Sequence, residues 1–226
     1  LAEVITGLRP STSGHVFICR NDLTNCSPRQ AIDRGVSHIP EDRLGMGLAP
    51  NLPISDNIVL KGYRQSPISS GLFLDRGSIN SFADNLIALY DISTPSRSTA
   101  VKLLSGGNLQ KTIIAREVSS KPLLMVAAHP TRGLDVGATE MVHKTLLEQR
   151  DQGMAILLIS EDLDEIRQLA DRIAVMYEGE IMGILDADKA DLAEIGLMMA
   201  GARTEALPAS ALADHSGMQA ERESPC

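Results

Sequence analysis

The chain lacks any apolar run long enough to cross a bilayer. Its longest, Leu123–Ala128 and Met154–Ile159, fall far short of the roughly 20 residues a membrane helix needs. No charged-then-apolar leader marks it for secretion. It has no basic stripe: Lys and Arg number 21 against 29 Asp and Glu, for a net charge of -8. Neutralising phosphates along a nucleic acid needs clustered cations, so no nucleic-acid partner is expected. Cysteine is scarce as well. Cys19, Cys26 and Cys226 are an odd number without metal-ligand spacing, and they read as free thiols of a reducing compartment. The last absence is a motif, the Gly-x-x-x-x-Gly-Lys-Ser/Thr loop whose amides and lysine cradle nucleotide phosphates. None of the lysines (Lys61, Lys102, Lys111, Lys121, Lys144, Lys189) follows a glycine, and Lys111-Thr112 and Lys144-Thr145 are preceded by Gln110 and His143.

What is present is ordinary for a folded domain: 226 residues, 43% hydrophobic and 22% charged, enough to bury a substantial core. Leu1–Leu8 has helical spacing but no preceding N-cap. Strands are expected at 14–19 and near 22–24. Ser27-Pro28 suits the start of a short helix, with serine as N-cap and proline at the first turn. Val36–Ile39 reads as a short strand ending at Pro40. The stretch 54–101 is helical in character, with an amphipathic helix over 78–90. Beyond it, helices over 108–118, 138–149 and 162–169 alternate with buried strands at 123–128 and 155–160. A hairpin is expected over 173–185 with Glu178-Gly179 at its turn. Strands alternating with helices imply an α/β fold with a mostly parallel sheet. From 202 to 226 the chain is rich in Ala, Ser, Glu and Pro and reads as a disordered tail.

The most specific stretch is Leu104-Ser105-Gly106-Gly107-Asn108-Leu109-Gln110-Lys111. Serine and two glycines stand before a helix whose amino end offers unpaired N–H groups and partial positive charge, an anion site. Glycine lets a phosphate approach the backbone closely. A Ser-Gly-Gly loop alone would equally suit an ordinary helix cap. Downstream, Pro130-Thr131-Arg132-Gly133-Leu134-Asp135 places Asp135 where it also can cap a helix. Glu41, in Ile39-Pro40-Glu41-Asp42-Arg43, follows a strand.

Taken together these motifs resemble the ATP-binding-cassette (ABC) ATPases. Leu104–Lys111 is similar to their signature and Pro130–Asp135 to their D-loop, while Glu41 holds the place of the Q-loop. The Pro-Glu-Asp-Arg phrase, with Leu104–Asn108 and Pro130–Ala138, resembles the second cassette of the simple-sugar and nucleoside importers over about residues 1–200. That resemblance implies an ABC-type P-loop NTPase core over 1–201 with a helical subdomain at about 54–104. It also implies that the first strands and the P-loop lie ahead of Leu1, which would leave open strand edges and a chain of marginal solubility. ATP and Mg²⁺ would be held mainly by a partner cassette, a fused N-terminal half. Ser105, Gly106, Gly107 and Asn108 would close on that ATP in trans, and the chain alone would not hydrolyse it. Transmembrane permease subunits would be further partners, at the cytoplasmic face of the membrane.

Where an active cassette carries its metal-ligating Asp and catalytic Glu, this chain has Ala128 and His129, and Glu161 takes the switch-histidine place. Alanine cannot bind metal. His129 has the chemistry of a base, though a polar residue at a strand end is the simpler reading. A carboxylate at position 161 would repel a phosphate rather than sense it. Two other functions stay open on these residues: a non-catalytic regulatory or scaffold module, and a soluble, non-transport ABC ATPase. The acidic charge balance and the Pro-Glu-Asp-Arg loop weigh against the second.

Overall fold

The computed structural model describes residues 1–70 and 73–202. Apart from Ala202, the predicted tail lies outside the described residues. The chain forms two compact units, Leu1–Ile159 and a second starting at Ser160.

In chain order, the first unit contains α1 (Ala2–Ile5), β1 (Phe17–Ile18), β2 (Asn21–Asp22), α2 (Pro28–Asp33) and β3 (Val36–Ile39). A π-helical turn, Arg43–Gly47, precedes α3 (Ile54–Val59), β4 (Ser69–Ser70), β5 (Phe73–Leu74) and α4 (Arg76–Leu89). Then follow α5 (Gly106–Ser119), β6 (Leu124–Ala128), α6 (Val136–Asp151) and β7 (Ala155–Ile159).

Sequence chemistry accounts for most of these limits. Helix α1 has no side-chain cap. Ser27 and Gln30 close a reciprocal capping box on α2, with Pro28 in its first turn. Helices α5 and α6 each begin two residues earlier than hydrophobic spacing alone places them, because Ser105 and Asp135 cap them directly. The strand expected at 14–19 shrinks to Phe17–Ile18, since Cys19 and Arg20 turn through positive φ and fold the chain back onto β2. The β4–β5 hairpin inside the helical stretch was not anticipated. Its two-residue strands are too short for alternation to show.

The sheet runs β3-β6-β7, all parallel, with Ile39 opposite Ala127 and Ala128 opposite Ile159. The central strand β6 is the driest, and Met125, Val126 and Ala127 are fully buried. Strand β7, Ala-Ile-Leu-Leu-Ile, is apolar throughout yet exposed to half-buried along its length. Among the described residues it pairs with a neighbour on one side only. One face of the sheet closes over Leu23, Ala31, Val36 and Val126, with Ile5 and Ile18 packed at the margin. Helix α5 lies against β3 and α3 and is buried on almost every side from Leu109 to Val118. Its polar residues Gln110, Thr112, Arg116 and Glu117 are therefore inside the unit.

The second unit comprises α7 (Leu163–Leu169), the antiparallel hairpin of β8 (Arg172–Tyr177) and β9 (Glu180–Asp186), and α8 (Leu192–Met199). Glu178 and Gly179 both take positive φ at the hairpin tip, as a tight turn matching strand twist requires. Ile173, Val175, Met182, Ile195 and Met198 form its core.

Candidate functional site

The site is built on the amino ends of α5 and α6. Ser105 is extended and caps α5. Its Oγ accepts from the Asn108 amide at 3.4 Å and from Asn108 Nδ2 at 2.9 Å. Asn108 Oδ1 in turn accepts from the Ser93 amide at 2.8 Å. Asn108 thus braces the serine from within the protein. Both contacts use the Ser105 oxygen as acceptor, which leaves its hydroxyl able to donate to an outside group.

Asp135 caps α6 by accepting from the Ala138 amide at 2.8 Å. The two helix starts touch: a Cβ on Gly107 would stand 3.3 Å from the Ala138 Cβ, whereas one on Gly106 would meet nothing within 4 Å. Each helix start carries roughly +0.5 elementary charge. Two of them side by side, with the Gly106 and Gly107 amides at one end, suit an oxyanion. The neighbouring cleft of about 710 Å³ is lined by Ser105, Gly107, Asn108, Asp135, Tyr90 and Lys111. Lys111 is already committed, with Nζ at 2.6 Å from the Asp91 carbonyl oxygen.

Ala128 and His129 stand at the exit of β6. His129 adopts φ 46°, an uncommon backbone state for a side chain with a Cβ, and its amide is tied to the Ile159 carbonyl at 2.8 Å. Among the described residues no group of three or more His, Cys, Asp or Glu side chains is placed to hold a metal ion.

Glu41 leaves β3 beside β6 and pairs with Arg132, both exposed. Ser105, Gly106, Gly107, Asn108 and Asp135 come together at the paired helix starts. Glu41, Ala128 and His129 lie at the same edge of the sheet, after neighbouring strands. Glu161 belongs to the second unit, exposed just before the Asp162 cap of α7.

Sequence reading missed the polar residues that hold these loops. Arg43 reaches Gln110, and Lys61 and Arg116 flank the buried Glu117. The available signal was in α5, where Asn-Leu-Gln-Lys-Thr-Ile-Ile-Ala-Arg-Glu-Val has no clean polar face, so some of its polar residues had to be buried.

A three-stranded parallel sheet flanked by helices, with a Ser-Gly-Gly helix start abutting an Asp-capped one, agrees with the ABC-type P-loop NTPase fold that the chain shares with solved cassettes. The ABC transporter family profile matches residues 1–132, and the chain belongs to that family. Among its relatives, the guanosine import ATP-binding protein NupO of Bacillus subtilis is 46% identical over 201 residues, covering 89% of this chain and 39% of the relative. The glucose import ATP-binding protein TsgD13 of Haloferax volcanii is 46% identical over 203 residues, covering 89% and 37%. The chain thus spans about two fifths of the length of the curated relatives it matches. A dimeric structure of the ATP-binding cassette MJ0796 bound to ADP and Pi shares the fold at TM-score 0.67 and 20% identity, covering 82% of this chain and 78% of that one.

Proposed function

We propose that this chain is a second, partial cassette of an ABC importer for sugars or nucleosides, and that it supplies its signature to an ATP site completed by a partner cassette. The observation that carries this is the Ser105 hydroxyl, held by Asn108 through its acceptor side and so able to donate, beside the open position at Gly106. The printed functions of NupO and TsgD13, guanosine and glucose import, support the cargo class.

In this arrangement the partner cassette, fused ahead of this chain, contributes the P-loop, the Mg²⁺ ligands and the catalytic carboxylate. Bound Mg²⁺–ATP supplies the phosphoanhydride bond whose hydrolysis drives import. Ser105 would donate to the nucleotide's phosphates, while Gly106 and Gly107 would add backbone donors and keep side chains out of the approach. Asp135, fixed as a cap, faces the seam between cassettes. Glu41 and the turn after it lie where transmembrane permease subunits would press, with the chain peripheral on the cytoplasmic face. Ala128 offers no metal ligand, so the chain alone does not turn over ATP.

The test is a Ser105→Arg variant in the assembled importer. Arginine at this point fills the approach to Gly106 and Gly107. Uptake should be lost while the complex still co-purifies with its permease; full uptake refutes the proposal.

A further inference from the structure

The loops after β3 and β6 leave the same end of the sheet on adjacent strands, and the Arg43 side chain crosses from the first loop to α5. Arg43 Nε donates to Gln110 Oε1 at 2.8 Å, and its Nη2 donates to the Arg132 carbonyl. Gln110 is 1% exposed and stands on α5 five residues after Ser105. Its Nε2 has no hydrogen-bond partner among the described residues, so Arg43 is the polar contact that fixes this amide. Burial holds the Arg43 guanidinium below its ordinary value, and the two oxygens it meets offset that cost.

The loop bearing Arg43 is itself stiff. Asp42 Oδ1 accepts from the Leu44 amide at 3.1 Å and the Gly45 amide at 2.8 Å. Gly47 packs against α5 so closely that a Cβ there would come within 2.8 Å of Ile113 Cδ1. The 42–47 segment thus grips α5 at Gln110 and Ile113, three residues apart on one helix face. The same loop is joined to the segment leading to Asp135 through the Glu41–Arg132 pair.

Building on the role proposed for Ser105, we propose that Arg43 is a positioning residue that locks the Pro-Glu-Asp-Arg loop to the signature helix, so that pressure from the permease on that loop moves Ser105 and Asp135 as one body. Arg43 does not touch the nucleotide. Its planar fork spans two acceptors on different segments, a geometry that a lysine ammonium cannot reproduce.

The experiment uses the importer assembled from this chain, its partner cassette and the permease, in membrane vesicles. Two quantities are read: substrate taken up per ATP hydrolysed, and hydrogen exchange of the 106–109 amides without nucleotide. Arg43→Met should lower the uptake ratio about fivefold and speed that exchange, with KM for ATP within about twofold of wild type. Gln110→Leu should do the same, and the double variant should be no worse than either single one. Arg43→Lys, which keeps the charge and is the milder change should Arg43→Met fail to assemble, should fall between Arg43→Met and wild type. An unchanged ratio in Arg43→Met or Arg43→Lys, or additive effects in the double variant, would overturn the inference. Ser105→Arg run in parallel separates the two levels. If it leaves uptake intact, the trans-signature reading itself fails. If it abolishes uptake while the Arg43 variants keep their ratio, only the coupling role fails.

Discussion

Glu117 is a buried charge on which three segments of the fold converge. It lies near the end of α5, fully buried, with Lys61 Nζ at 2.5 Å from Oε2 and Arg116 Nη2 at 2.9 Å from Oε1. The His38 amide of β3 donates to it at 3.1 Å. One carboxylate therefore ties the signature helix to the strand that precedes Glu41, and to the segment after α3. Glu117→Gln keeps an acceptor for His38 but removes the charge facing Lys61 and Arg116. Breaking a buried pair from one side costs about 3–5 kcal/mol. Lys61 is 23% exposed and can rehydrate, whereas Arg116 at 6% cannot, so the loss should sit near about 3 kcal/mol. For a domain of this size that is a fall in Tm of about 6–12 °C, read by thermal unfolding at pH 7.5. Lys61→Met in the Glu117→Gln background should add less than it does alone, because the pair is already broken. A Glu117→Gln shift under about 2 °C, or strictly additive effects, would refute the ion-pair account.

Acid should destabilise the chain in two stages. Burial, reinforced by Lys61, holds His38 below its ordinary value of 6.5. The unfolded chain then takes up a proton that the folded one refuses, so stability falls as pH drops below that value. Burial acts to raise Glu117, but Lys61 and Arg116 outweigh it and the net direction is down from 4.5. A second loss should begin below that pH as the unfolded carboxylate protonates first. Denaturant unfolding between pH 7.5 and 4 at fixed ionic strength checks both; stability that stays flat below pH 6 contradicts the His38 step. Asp135→Ala should cost about 1 kcal/mol by removing the α6 cap, a loss that Asp135→Ser should largely recover in the same melts.

The alternation of strands and helices and the two capped helix starts were legible because each has a local signature. Ser105 and Asp135 announce themselves by residue type and by the helix-forming stretches just after them. The Glu178-Gly179 hairpin was legible for the same reason, since its turn residues must take positive φ. Asn108 stands at the helix start where its motif puts it, and its amide also braces Ser105 and Ser93, contacts the motif does not announce. The Arg43–Gln110 and Lys61–Glu117 contacts join residues 67 and 56 positions apart. No local pattern encodes such pairs, and only the folded sheet brings them together. Glu41 was found by its place after β3 and Arg132 lies in the Pro130–Asp135 motif, yet the two are 91 residues apart and nothing local pairs them.

The trans-signature claim is tested most directly by disulfide trapping across the cassette seam. Cys19, Cys26 and Cys226 would be replaced by serine, Ser105 by cysteine, and a single cysteine placed in the partner's P-loop. The account predicts a cross-link that forms on adding ATP and not in its absence. A cross-link indifferent to ATP, or none under any condition in a complex that still assembles, would contradict it.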